Sequence, residues 1–414
     1  MGRATSSQGL LWCEHLYLFA AAVAMIVAVD PFEWRLDAHP VVKHLALMIA
    51  APAIAATLIG RALRSAFERT PHLYRALRAA WPLFVLALMI VGSSLYARFF
   101  LDIRSTFLNF GLYMLATFGA AAMVLQSKDV EGMVRAYFRL LVAGATVMGL
   151  SLIYHYGVRQ VYHEEIFLVI PIAALFVART RRGLTGWVAF AYFLSMAWFS
   201  HKYTSYIIGV LTVAYLALFV ALPRMRSRPG LYRFAAAYGF FLAAFAAAAA
   251  AHYVALHSEV ELPTGNPEYR LHTYALAWER FVESPLWGTF FTAEAVEKFT
   301  PFAIGIAANR LPTHSDILDI LANGGFVAAL LWIAGLAAVF RVGYRSVLHP
   351  ERVDEAMAQY AHTLALMSFA GVFTYAFNPI LLQPPMAYLL WTNLGLLLGL
   401  GMRMGRGGRH SAAS

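Results

Sequence analysis

Long apolar runs separated by short, arginine-rich connections dominate the chain. A membrane-spanning helix needs about 20 mainly apolar residues. Windows of that kind fall near residues 9–29, 41–60, 81–97, 106–126, 136–155, 166–179, 184–200, 204–222, 231–254, 315–340, 358–377 and 384–402. The pattern predicts an all-α, polytopic membrane protein with about 12 transmembrane helices, the sixth short and open to a kink at Pro171. One interruption is much longer than the others. It covers residues 255–314, and connections of that length usually carry structure of their own. Within it Leu271, Tyr274, Ala275, Trp278, Phe281 and Val282 recur at helical spacing, which predicts an amphipathic helix over 267–283 that Pro285 ends.

Composition agrees with the pattern. With 61% hydrophobic and only 13% charged residues, the chain cannot be an ordinary soluble domain. Of its 32 Lys and Arg residues, 22 fall in alternate connections, counting from an N-terminus inside the cell. The positive-inside rule then puts both termini in the cytoplasm and the 255–314 loop on the opposite side. The net charge of +10 does not imply nucleic acid, because the arginines are spread over seven connections and form no single stripe. Spread in this way, they orient helices and meet anionic membrane lipids. Cys13 is the only cysteine, so no intrachain disulfide is possible. The first apolar stretch is too long for a cleaved signal peptide and reads as a retained span.

Polar residues capable of chemistry collect on the non-cytoplasmic side. Asp30, Glu33 and Asp37 match no defined metal-binding loop, and with Trp34 they read as a solvated interfacial loop. On the inner side, the basic stretch 61–80 has Leu63, Phe67 and Leu73 at helical spacing and is expected along the membrane surface. Arg98, Asp102 and Arg104 suit mutual pairing or glycan contact. Tyr154 to Glu165 combines aromatics with His155, Arg159, His163, Glu164 and Glu165, which suits sugar faces and hydroxyls or an interfacial belt. Arg159 is the candidate substrate contact there. Lys202 stands between two apolar segments, where a cation either binds an anion or snorkels to the interface.

The densest group lies between Arg270 and Phe326. Arg270 borders the apolar stripe of the 267–283 helix, and its planar fork of donors matches phosphate oxygens; an ion pair with a loop carboxylate is the alternative. In Pro312-Thr-His-Ser-Asp316, Thr313 and Asp316 have capping-box spacing, which puts His314 at the first helical position. The helix dipole there disfavours added positive charge and keeps the imidazole a proton acceptor, whereas the alternative is a histidine buried for structure. Asp316 and Asp319 share a face just below, need a cavity or partner, and have the orienting of His314 as one use. Asn323-Gly324-Gly325 reads as a close helix approach.

Arg270 followed by Trp278, then Ser284-Pro-Leu-Trp-Gly288, then His314-Ser315 leading into Leu318, Leu321 and Gly325, resembles the O-antigen ligase family and its O-antigen and exopolysaccharide polymerase relatives. The resemblance implies a glycosyltransferase of the C type, metal-independent and inverting, without a cofactor, on the periplasmic side of a bacterial inner membrane. The donor would be a glycan on undecaprenyl diphosphate, and the acceptor the lipid A core or, for a polymerase, another lipid-linked glycan. It places the family histidine on His314 as catalytic base and the loop arginine on Arg270. Arg270, Lys202, Asp316 and Arg159 are the expected substrate-binding residues. Lys202 stands where the family has an arginine, Phe290 where a second glycine follows Gly288, and Ala328 where one follows Gly325. The competing class is a polysaccharide-precursor transporter or flippase, which would show discontinuous helices at midplane and two similar halves.

Overall fold

The computed structural model describes residues 4–29, 40–67, 71–102, 107–155, 166–177, 183–200, 202–221, 240, 244, 246, 266–292, 297–298, 310–311, 315–348, 355–375 and 384–410. In chain order the helices are α1 (Ala4–Val29), α2 (Pro40–Phe67), α3 (His72–Ala79), α4 (Trp81–Phe100), α5 (Phe107–Met114), α6 (Ala116–Gln126), α7 (Val130–His155), α8 (Ile166–Val169) and α9 (Ala173–Val177). They continue with α10 (Leu184–Phe199), α11 (Tyr203–Leu216), α12 (Asn266–Glu283), α13 (Asp316–Gly343), α14 (Arg345–Leu348), α15 (Glu355–Thr374) and α16 (Pro384–His410). The strands among the described residues form one antiparallel ladder, β1 (Glu297–Lys298) with β2 (Arg310–Leu311), pairing Glu297 with Leu311 and Lys298 with Arg310.

This is a helical membrane protein. Among the described residues five helical stretches are long and apolar enough to cross a bilayer: Trp81–Phe100, Phe107–Gln126, Val130–His155, Asp316–Val347 and Pro385–Arg403. The apolar helices His15–Val27, Ile166–Val177, Leu184–Phe199 and Thr204–Phe219 are shorter. The segment holding Pro171 passes through a 3-10 turn at Ile170–Ile172 between α8 and α9. Most of the 231–254 window and the loop holding Asp30, Glu33 and Asp37 lie outside the described residues.

The bundle is built around α16, which packs against α1, α2, α5, α6, α13, α14 and α15. Gly395 and Gly399, one turn apart, bring it onto α6. A Cβ on Gly395 would stand 2.3 Å from the Thr117 carbonyl oxygen, and one on Gly399 would stand 2.6 Å from Val124 Cβ. Small residues at this spacing let two backbones approach where no water is present to drive association. Polar side chains then tie the helices together. The Tyr17 hydroxyl donates to the Ala116 carbonyl at 3.0 Å and lies 2.9 Å from Thr392 Oγ1. Tyr137 donates to Asn393 Oδ1 at 2.7 Å, and Thr117 to the Trp391 carbonyl at 3.1 Å. Tyr137→Phe leaves the Asn393 oxygen without this donor, and we expect a loss of about 1 kcal/mol, read from the unfolding midpoint in detergent.

Two arginines counted on the inner surface are integral to this packing. Arg61 is fully buried in α2, which runs on to Phe67, and its Nη1 donates to Gln126 Oε1 at 3.1 Å. The 61–80 stretch is therefore no uniform surface loop: residues 61–67 continue α2, and α3 is a separate short helix. Arg403 Nη1 donates to the carbonyls of Val124 and Ser127 at 3.1 and 2.9 Å, satisfying the C-terminal end of α6.

Candidate functional site

The 18 residues of α12 run as the periodicity predicts. Thr273, Tyr274, Ala277 and Phe281 are buried, and the face they form packs on α13. Arg270 lies in line with that face at its N-terminal end, half-buried, and its carbonyl accepts from Thr273 Oγ1 at 2.9 Å.

The start of α13 differs from the expected one. Ser315 is the N-cap, with extended backbone, and its side chain accepts from the Leu318 N–H, so the helix begins at Asp316. The capping box on Thr313 is thereby replaced, and His314 precedes the cap in sequence, where the dipole argument for a first-turn residue no longer applies to it. That argument passes to Asp316 and Asp319, whose negative charges suit the positive end of the helix. Both carboxylates are buried. The Asp316 N–H donates to the Tyr375 carbonyl at 2.9 Å and the Asp319 N–H to the Ser315 carbonyl at 3.0 Å, so the first turn is held by α15 as well as by its own cap.

Tyr274, one turn along α12 from Arg270, lies within electrostatic reach of this turn. Burial pushes the Tyr274 hydroxyl above its ordinary range, while the charge of Arg270 lowers it and that of Asp319 raises it. One guanidinium and one buried carboxylate, 49 residues apart in sequence, thus act on the same phenol. The Tyr274 hydroxyl is therefore protonated at neutral pH and able to donate.

Beneath this turn α13 is broken. Gly325 has φ 61° and ψ −164°, and the turn 284–291 fills the gap. The Phe326 N–H donates to the Pro285 carbonyl at 2.8 Å and the Val327 N–H to the Leu286 carbonyl at 3.3 Å, while the Phe291 N–H donates to the Asn323 carbonyl at 2.9 Å. Asn323 joins the pieces: its Oδ1 accepts from Thr289 Oγ1 and its Nδ2 donates to the Asp319 carbonyl, both at 2.9 Å. Gly288 also has positive φ, 58°, and a Cβ there would stand 2.6 Å from the Ala322 carbonyl oxygen. The two motifs, Ser284-Pro-Leu-Trp-Gly288 and Asn323-Gly-Gly325, are two halves of one joint. Phe290 is itself left-handed, with φ 54°. Asn323→Ala removes both side-chain bonds, and we expect a loss of about 2 kcal/mol, measured as a lower unfolding midpoint.

Lys202 has another setting. It is the N-cap residue of α11, half-buried, with Nζ 5.6 Å from the centre of the Phe167 ring. A cation over an aromatic face is held favourably there. It packs with α8, whereas Arg270 packs with α13. Arg98 pairs with Asp102 at 3.4 Å in an exposed position. His314, Arg159 and Arg104 lie outside the described residues. Among the described residues no three His, Cys, Asp or Glu side chains converge as metal ligands. Sequence reasoning missed Tyr274 and Asn323 as parts of the site. Tyr274 reads as an ordinary member of an apolar stripe, and the partners of Asn323 are set by a contact between distant segments.

No protein-family model matches this chain, and no curated protein matches it.

Proposed function

We propose that this protein is a membrane glycosyltransferase, similar to O-antigen ligases, that moves a glycan from undecaprenyl diphosphate to an acceptor hydroxyl on the periplasmic side of a bacterial inner membrane. The observation that carries the reading is the packing of α12, the helix that bears Arg270, on α13, whose first turn holds the buried Asp316 and Asp319. His314 is joined to the buried cap of that same turn, Ser315. A chain of about 12 spans with both termini in the cytoplasm and a fold of the glycosyltransferase C type belong to this proposal.

In the reaction, the acceptor oxygen forms a bond to the anomeric carbon as the bond from that carbon to the phosphate oxygen breaks, and the configuration inverts. The acceptor proton passes to His314. The leaving undecaprenyl diphosphate carries away the bonding pair, and Arg270 compensates its charge. Lys202 and Arg159 are assigned to substrate binding, and Asp316 to the floor of the site. The acceptor is a lipid A core in a ligase and a second lipid-linked glycan in a polymerase.

A transporter or flippase is the second reading, favoured by the break in α13. The break, however, is filled: the N–H groups it frees bond to Pro285 and Leu286, so they are not open to a substrate. The test is to supply the purified protein with undecaprenyl-linked glycan and an acceptor lipid. One transfer onto the core lipid identifies a ligase, a ladder of repeats a polymerase, and no new glycosidic bond refutes the enzyme. Arg270→Lys keeps the charge and loses the fork. Transfer should fall on the order of 100-fold, and activity equal to wild type would show that no bidentate contact exists.

A further inference from the structure

The side of α12 turned away from α13 is not wholly polar. Trp278, Val282, Leu286, Trp287, Phe290 and Phe326 are 43–57% exposed. On α12 the strip of Ala275, Trp278 and Val282 lies between the buried face and the exposed acids Glu279 and Glu283. The strip is continuous with α13: the Trp278 and Phe281 rings lie 5.2 Å apart, and the Phe281 and Phe326 rings 5.0 Å apart. From Phe326 it runs on through the exposed Leu330 and Ile333, at the i, i+4, i+7 spacing of one face of a membrane-crossing helix.

Depth follows from the charges. Between Asp319 and Arg341, α13 carries no ionisable side chain. Ile320 to Phe340 makes about 31 Å of helix, which matches a hydrocarbon core of about 30 Å. Phe326 then lies about 10 Å below the boundary marked by Asp319. The turn 284–291 bonds to α13 at this level through Pro285, Leu286 and Phe291. Leu286, Trp287 and Phe290 are exposed at this level, and the internal bonds of the turn meet the demand that immersed backbone be satisfied: the Gly288 N–H donates to Ser284, the Phe290 N–H to Trp287 and the Thr292 N–H to Thr289.

We propose that α12 and the 284–291 turn form a re-entrant wedge immersed in the acyl chains of one leaflet, with Glu279 and Glu283 at the water edge. The partner is the bilayer lipid itself, and the wedge sets the first turn of α13, with Arg270 and the two buried acids, at the lipid boundary. This inference rests on the membrane reading and not on the proposed transfer reaction.

The test uses the full chain, with Cys13→Ser and one cysteine at a time replacing Val282, Leu286, Trp287 or Glu279, spin-labelled in phosphatidylcholine vesicles. Leu330 serves as the lipid reference and Asp102 as the water reference. Labels at positions 282, 286 and 287 should relax faster with oxygen than with a water-soluble nickel chelate, as at Leu330, and the label at 279 should show the reverse. If positions 286 and 287 follow Asp102, or respond to neither reagent, the wedge is refuted. Because labels can disturb the joint, the wild-type chain is also crosslinked with a photoactivatable phospholipid. Adducts are expected within 278–290, and adducts confined to residues such as Leu330 and Ile333 would overturn the proposal.

Discussion

We expect His314→Ala to lower glycan transfer by about 10²- to 10⁴-fold while the protein stays folded and inserted. The size is that of a general base, since the acceptor hydroxyl must lose its proton as it attacks. Stability is spared because the cap of α13 is Ser315, and the first-turn N–H groups go to the Ser315 hydroxyl and carbonyl and to the Tyr375 carbonyl, none of which the substitution removes. The assay compares product from undecaprenyl-linked glycan with the yield of monodisperse protein. Normal product would remove His314 from the chemistry. Loss of monodisperse protein along with product would assign it to the fold.

Gly325→Val should have the largest effect on stability, on the order of 3 kcal/mol or more, with activity lost in parallel. Two costs add. A β-branched residue at positive φ is strained by about 1–2 kcal/mol, and the new Cβ would sit 2.4 Å from the Leu286 carbonyl carbon and oxygen, backbone atoms that cannot turn aside. The turn must then leave the gap, and the Phe326 and Val327 N–H groups lose their acceptors inside the membrane. Gly92→Ala is the control. A Cβ at Gly92 meets nothing within 4 Å, and that substitution should leave the unfolding midpoint unchanged or raised. Equal behaviour of the two variants would show that the joint does not hold α13 to the turn.

The fold was legible where a local rule decided it. The helix over 267–283 followed from its own period and from Pro285, and α12 ends at Glu283. The long apolar runs correspond to α4, α7, α13 and α16 because burial and lipid ask for the same residues. The run at 106–126 corresponds to α5 and α6, which continue through Leu115 with helical backbone as one stretch long enough to cross a bilayer. Contacts between distant segments were not legible. Asn323-Gly324-Gly325 read as packing between helices, because the carbonyls that complete the break belong to residues about 40 positions earlier. The start of α13 was misplaced because Thr313 and Asp316 satisfy a capping pattern, whereas Ser315 has only a leucine three residues on. Of the site itself, the sequence suggested Arg270 and Asp316; that Tyr274 sits between the charges of Arg270 and Asp319 depends on how α12 crosses α13.

The position of α16 has a consequence for biosynthesis. Helices α1 to α15 leave the ribosome before the helix on which α1, α2, α5, α6, α13 and α15 all converge. Until residues 384–410 have been translated, those segments sit in the bilayer with their tyrosine and threonine hydroxyls facing a vacancy. A stop codon before residue 384 therefore removes Thr392, Trp391 and Asn393, the partners of Tyr17, Thr117 and Tyr137, and should leave the inserted helices loosely packed.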